Sequence, residues 1–197
     1  MTKQYSAACE NNQQPILTVL QSVITEPSLV LEIGSGTGQH AAFFFQSMPH
    51  VQWQPTDLPE HFASILAWRS ASGADNFCEP LALDLNNCHS RQFSADHVFT
   101  ANTLHIVSWS LVRRLFETAA DILDTGGKLI AYGPFNYGGQ YTSASNARFD
   151  QWLRERDSNS GIRDVEQLSA EAISNHLQLC DDIAMPANNR VLIFEKN

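Results

Sequence analysis

With 197 residues, 43% hydrophobic and 17% charged, the chain is long enough to bury one sizeable core and has the composition of an ordinary single globular domain. Twelve Lys and Arg stand against 21 Asp and Glu, for a formal charge of −9, and the basic residues form no stripe. That balance excludes the usual nucleic-acid surface and favours a small-molecule partner.

The N-terminal M-T-K-Q-Y-S-A-A-C has no apolar leader, and no window approaches the length of a membrane span, so a soluble, cytoplasmic protein is expected. Its oligomeric state is not legible. Cys9, Cys78, Cys88 and Cys180 are too scattered for a zinc site or a disulfide framework and read as free, mostly buried thiols; no metal is expected. The polar cluster from Ala8 to Asn12 reads either as a helix lead-in or as a flap over a ligand. Pro15 suits a first helical turn, and Ile16, Leu17, Leu20, Val23 and Ile24 then recur at helical spacing, which predicts an amphipathic helix from about Gln14 to Thr25. The N-terminal helix or flap therefore covers roughly residues 8–25.

Leu29 to Ile33 reads as a buried strand running into Gly34, Gly36 and Gly38. A strand, a glycine turn and a helix start present unpaired backbone N–H groups and a positive dipole end to a ligand. A second helix carries Ala41 to Phe45 and stops near Pro49. Val51, Trp53 and Pro55 alternate with polar residues as a second strand ending at Asp57, and a helix follows from about Pro59 to Ser70. The third strand, Leu81 to Leu83, ends at Asp84, and the fourth, His97 to Ala101, leads to Asn102. Ser108 reads as the N-cap of a helix bearing Leu111, Leu115, Phe116, Ala119 and Leu123, stopped by Gly126 and Gly127. Lys128 to Tyr132 is the fifth strand, closed by Gly133-Pro134.

Strands and helices in this order call for an α/β fold with a Rossmann-like, doubly wound and mainly parallel sheet. In the tail, one helix carries Phe149, Trp152 and Leu153, and another starts near Asp164. The runs Leu177 to Met185 and Val191 to Phe194 are separated only by residues 186–190, too few for a parallel crossover, so they form an antiparallel hairpin. About seven strands result.

A dinucleotide fingerprint needs a third glycine or small residue where this chain has Gln39. The glycines alternate instead, with Glu32 two residues before the first, and this E-x-G-x-G-x-G run resembles that of class I S-adenosylmethionine-dependent methyltransferases. The resemblance implies that Glu32 and the loop Gly34, Ser35, Gly36, Thr37 and Gly38 lie under the methionine end of that cofactor. Asp57, 21 residues after Gly36 at a strand end, is placed to accept hydrogen bonds from a ribose diol; it is also placed to cap the next helix. Asp84 and Leu85 follow the third strand, where such enzymes place an acid near the adenine amino group and an apolar face on its ring. Asn102 sits where the methyl group should point and can position cofactor or acceptor. His105 is a candidate general base, its unperturbed pKa lying nearest neutrality, although a lone His between Leu104 and Ile106 also reads as structural. Asn188, in the last turn, is a candidate for the acceptor pocket, with Tyr132 and Phe135 as its apolar walls.

A-C-E-N-N, L-E-I-G-S-G-T-G-Q-H, W-Q-P-T-D, A-N-T-L-H-I, Y-G-P-F, S-N-A-R-F-D and M-P-A-N-N together resemble a family of small methyltransferase-like proteins of unknown function with bacterial and animal members. The resemblance spans nearly the whole chain and implies methyl transfer to an unidentified small acceptor. Two positions depart from the family pattern. Gly34 stands where a small alanine is common, a change expected to be harmless to the loop, and Asn11 stands where a basic residue is common. Two rival readings use the same architecture: a non-catalytic S-adenosylmethionine-binding or interaction protein, and a nicotinamide-dependent oxidoreductase, against which Gln39 argues.

Overall fold

In the computed structural model, which describes residues 2–73, 76–87 and 90–197 and only the backbone of Arg91, Ser6 opens the first helix by accepting the Cys9 N–H on its hydroxyl at 3.3 Å. Helix α1 (Ala7–Val23) thus starts well before Gln14, and the 8–12 cluster is helix. Pro15 lies inside it rather than in its first turn. Because proline has no N–H, the Asn11 carbonyl lacks its usual helical donor.

The strands β1 (Ser28–Ile33), β2 (Val51–Asp57), β3 (Leu81–Ala82), β4 (Ala95–Ala101) and β5 (Leu123–Gly133) are the five expected. Between them stand α2 (Gln39–Ser47), α3 (Phe62–Ser72) and α4 (Trp109–Ile122). Two details of α4 differ from expectation. The Ser108 hydroxyl bonds Ser110 Oγ at 2.9 Å rather than a helix amide, and the helix ends at Ile122, ahead of the glycines. Leu123 already has extended dihedrals, so Gly126 and Gly127 lie in β5. A Cβ on Gly127 would stand 2.9 Å from the carbonyl oxygens of Asp96 and Asp124, so that glycine permits a close strand approach rather than a helix stop.

The remaining elements are β6 (Phe135–Asn136), α5 (Ala144–Arg156), β7 (Arg163–Asp164), α6 (Val165–Ser174), β8 (Leu177–Met185) and β9 (Asn189–Lys196). Seven strands form one sheet in the order β3-β2-β1-β4-β5-β9-β8; the first five are parallel, and β9 runs antiparallel to both its neighbours. The two-residue β6 and β7 pair separately, too short to show as a pattern in the sequence. The period of two along each central strand divides the core. Leu31, Ile33, Val98 and Leu129 face α4 and α6, whereas Val30, Phe99 and Ile130 face α1 and α2. The strand order reverses between β1 and β4, and ligands of such sheets sit in the crevice beyond the carboxyl ends at that point.

Of the cysteines, Cys9 and Cys78 are half-buried and Cys180 is exposed, so burial is less complete than expected; all three are free thiols, and Cys88 lies outside the described residues. Among the described residues, no helix is long and apolar enough to cross a membrane.

Candidate active site at the switch point

All three loop glycines are left-handed, with φ of +76°, +55° and +82° for Gly34, Gly36 and Gly38, a conformation that side chains disfavour. Their surroundings separate their roles. A Cβ on Gly38 would stand 2.8 Å from the Ile65 Cα, so this glycine lets α3 pack on the loop. One on Gly34 would stand 2.9 Å from Thr103 Oγ1, so alanine, the residue common in the family pattern, would here need Thr103 to move. The Gly34 departure is thus matched to its neighbour. One on Gly36 would meet nothing within 4 Å: this glycine leaves open space above the loop.

The loop is held from below by two carboxylates. Gly36 N–H donates to Asp57 Oδ2 at 2.6 Å and Leu58 N–H to Asp57 Oδ1 at 2.7 Å, so Asp57 joins loop and β2. A carboxylate has about four acceptor sites, which leaves capacity for a ligand. Glu32 is 1% exposed and accepts the Ser35 hydroxyl at 2.9 Å and the Trp53 indole N–H at 3.0 Å on one oxygen. Burial pushes its pKa up to about 7, against the lowering effect of both hydrogen bonds. Glu32 positions the loop through Ser35. Thr37 takes the Gln39 N–H on Oγ1, and Gln39 in turn accepts the Ser6 N–H at 2.9 Å, tying the N-terminal segment to the loop's far side.

Asp84 lies exposed after β3 and accepts the Asn86 N–H at 2.9 Å in a local turn. Leu85 beside it is buried, in the core under α4.

Asn102 has φ +60° and its N–H donates to the Tyr132 carbonyl at 2.8 Å, which fixes the turn after β4 against the end of β5. It lines a cavity of ≈410 Å³ whose walls carry five further asparagines: Asn11, Asn12, Asn146, Asn188 and Asn189. Tyr132, Phe149 and three prolines supply the apolar part. The cavity draws on α1, the ends of β4 and β5, α5 and the hairpin tip, so both the N-terminal helix and Asn188 reach Asn102. Asn146 Nδ2 donates to the Asn188 carbonyl at 3.2 Å, fastening α5 to the tip. His40 Nε2 bonds Asn12 Oδ1 at 2.7 Å; an amide oxygen only accepts, so the imidazole donates.

His105 and Phe135 do not line this cavity. His105 is 4% exposed and packs its ring on Phe149 at 5.3 Å, with burial and then the Arg163 charge lowering its pKa to about 4. Phe135 is buried in the core on the α4 side, and Pro134 and Phe149 take the wall it was expected to form. Sequence reasoning overlooked Asn12, Asn146 and Phe149 as pocket residues. The S-N-A-R-F-D segment carried the signal for two of them.

The fold resembles that of solved methyltransferases. An O-methyltransferase family protein from Burkholderia thailandensis superposes with a TM-score of 0.83 at 18% identity, over 96% of this chain and 57% of that one. Human N-acetylserotonin methyltransferase, solved in complex with S-adenosylmethionine, gives 0.79 at 15% identity over 96% and 53%. A putative O-methyltransferase from Nostoc punctiforme gives 0.82 at 17% over 95% and 56%. The chain thus spans little more than half the length of these proteins, and at such identities the likeness establishes the class I methyltransferase fold. The family model described as "Protein of unknown function (DUF938)" matches residues 3–196, and the chain belongs to that family.

Proposed function

We propose that the protein transfers a methyl group from S-adenosylmethionine to a small-molecule acceptor held in the asparagine-lined cavity. The observation that carries this reading is the peptide Asn102-Thr103: Asn102 lines the cavity, Thr103 lies against Gly34, and so the loop and the cavity adjoin. The residues present fit the cofactor. The space above Gly36 admits close approach to the main chain, and Asp57 keeps lone pairs for a ribose diol beyond its two backbone bonds. Gly36, Asp57 and the exposed Asp84 would hold it; Leu85, expected to lie on the adenine ring, belongs instead to the core under α4. Bound there, S-adenosylmethionine supplies a methyl group on a positively charged sulfur.

The chain's own part is positioning. Asn102 and Asn188 orient the acceptor by hydrogen bonds, while Phe149 and the prolines exclude water, which holds the reactants in line at little further entropic cost. His105 lies behind Phe149 and receives no proton in this reading. Titration calorimetry tests the proposal: S-adenosylmethionine and S-adenosylhomocysteine are expected to bind and NAD is not. Tight NAD binding with none of the methyl donor overturns it.

A further inference from the structure

The cavity that holds the acceptor is as informative for its chemistry as for its shape. Among the described residues no Asp, Glu, His, Lys, Arg or Cys lines it. Burying an unpaired negative charge in such a place is costly, so a carboxylate or phosphate does not belong there. Among the described residues, three of the four non-glycine positions with positive φ, Asn102, Ala187 and Asn188, line this one cavity. Such strain persists only where the surroundings enforce it, and it gathers at ligand sites.

An alcohol or phenol loses a proton as it is methylated and therefore needs a base. Among the described residues the one titratable side chain in the lining is Tyr132, whose phenol burial pushes up. With burial keeping the proton on its oxygen, it is a donor rather than a base. Two imidazoles stand behind the lining rather than in it: His105 is screened by Phe149, and His40 spends its Nε2 proton on Asn12 Oδ1. What the cavity does offer is stabilisation of positive charge: amide oxygens and the aromatic rings of Phe149 and Tyr132.

We infer that the acceptor atom is a neutral aromatic nitrogen on an uncharged, polar, flat molecule, and not the oxygen of an alcohol or phenol. This rests on the methyl-transfer reading above. The nitrogen lone pair forms the new N–C bond as the C–S bond breaks, and that bond's electron pair passes to sulfur. Positive charge moves from sulfur to nitrogen. No proton leaves, so no base is required.

The test uses the whole protein saturated with S-adenosylhomocysteine and a matched set of probes: isoquinoline and quinoxaline as neutral nitrogen compounds, 2-naphthol and 2-naphthoate as their oxygen counterparts. Isoquinoline or quinoxaline is expected to bind at least tenfold tighter than 2-naphthoate and to shift the side-chain amide NMR signals of the cavity asparagines. With S-adenosylmethionine in place of the product, N-methylation should proceed at a rate independent of pH between about 7 and 9. Methylation of 2-naphthol at a rate rising with pH overturns the inference, as does preferred binding of 2-naphthoate or failure of both nitrogen probes to bind or to be methylated. Those failures leave the cofactor reading standing; that reading falls only if S-adenosylhomocysteine itself does not bind.

Discussion

The glycine loop and the asparagine cavity lie one peptide apart and are built on opposite principles. The loop is main chain, folded within the stretch from Ser28 to Asp57 and fixed by carboxylates beneath it. The cavity is side chains, gathered from α1, α5, two strand ends and the hairpin tip. A site made of backbone tolerates no change of dihedral class but little depends on any one side chain above it. One made of side chains has the reverse weakness.

Substitutions can break this contrast. The largest effect is expected from Gly36→Val, which puts a side chain into the space above the loop and a β-branched residue at φ +55°. Calorimetry should find cofactor binding lost, while the cavity probes of the previous section still bind; normal cofactor affinity would move the site elsewhere. The protein should stay folded, since left-handed backbone costs only about 1–2 kcal/mol.

Glu32→Gln addresses the support beneath the loop. Folding raises this acid from 4.5 to about 7, so between those values the folded state holds more protons than the unfolded one. Stability from this group is therefore lost as pH rises through that window, by about 3 kcal/mol in all. His40 and His105, both lowered from 6.5 to about 4, act in the opposite sense over nearly the same range. The informative quantity is the difference between the two proteins in urea unfolding: Glu32→Gln should gain on the parent from pH 5 to 8. Parallel curves would mean that Glu32 is ionised throughout.

Asp57→Ala should weaken cofactor binding by about 1.5–3 kcal/mol through lost charge-assisted hydrogen bonds. Part of that loss comes from releasing Gly36, a tie that Asp57→Asn keeps only in part, because an amide offers one acceptor oxygen where Gly36 and Leu58 use two. An unchanged dissociation constant would reduce Asp57 to a structural tie. The smallest effects belong to Asn102→Ala and Asn188→Ala. Each should cost about 1 kcal/mol of probe binding in the cavity and leave cofactor affinity within about threefold. A large loss of cofactor affinity in Asn188→Ala would erase the distinction between the two regions.

The same contrast explains what was legible before folding. Gly34, Gly36, Gly38 and Asp57 stand close in sequence at spacings that backbone geometry dictates, so the loop shows as a motif. Five strands, the hairpin and the order of the helices follow from periodicity and loop length alone. Asn12 and Asn146 stand in segments that carry the family resemblance, but no spacing rule marked them as pocket residues, because polar residues on helices read as solvated faces until another segment is folded over them. Pro15 misled for a related reason. Proline is most at home in a first turn, and only the capping bond of Ser6 shows that the helix had begun earlier. Gly126 and Gly127 likewise read as a helix stop, whereas Leu123 had already left the helix and Gly127 serves the approach of β4.

The position of β9 has a consequence for how the chain reaches its folded state. It is the last strand in sequence, yet it lies inside the sheet, between β5 and β8. While a ribosome is still making it, β5 has finished and carries Ile130, Ala131 and Tyr132 on an open edge, a template for pairing with another nascent chain. The half of the molecule holding the loop can assemble during synthesis; the asparagine-lined cavity cannot, since Asn189 opens β9 itself. Translation that slows or stalls before Asn189 should therefore yield aggregates of a protein whose glycine loop is already formed.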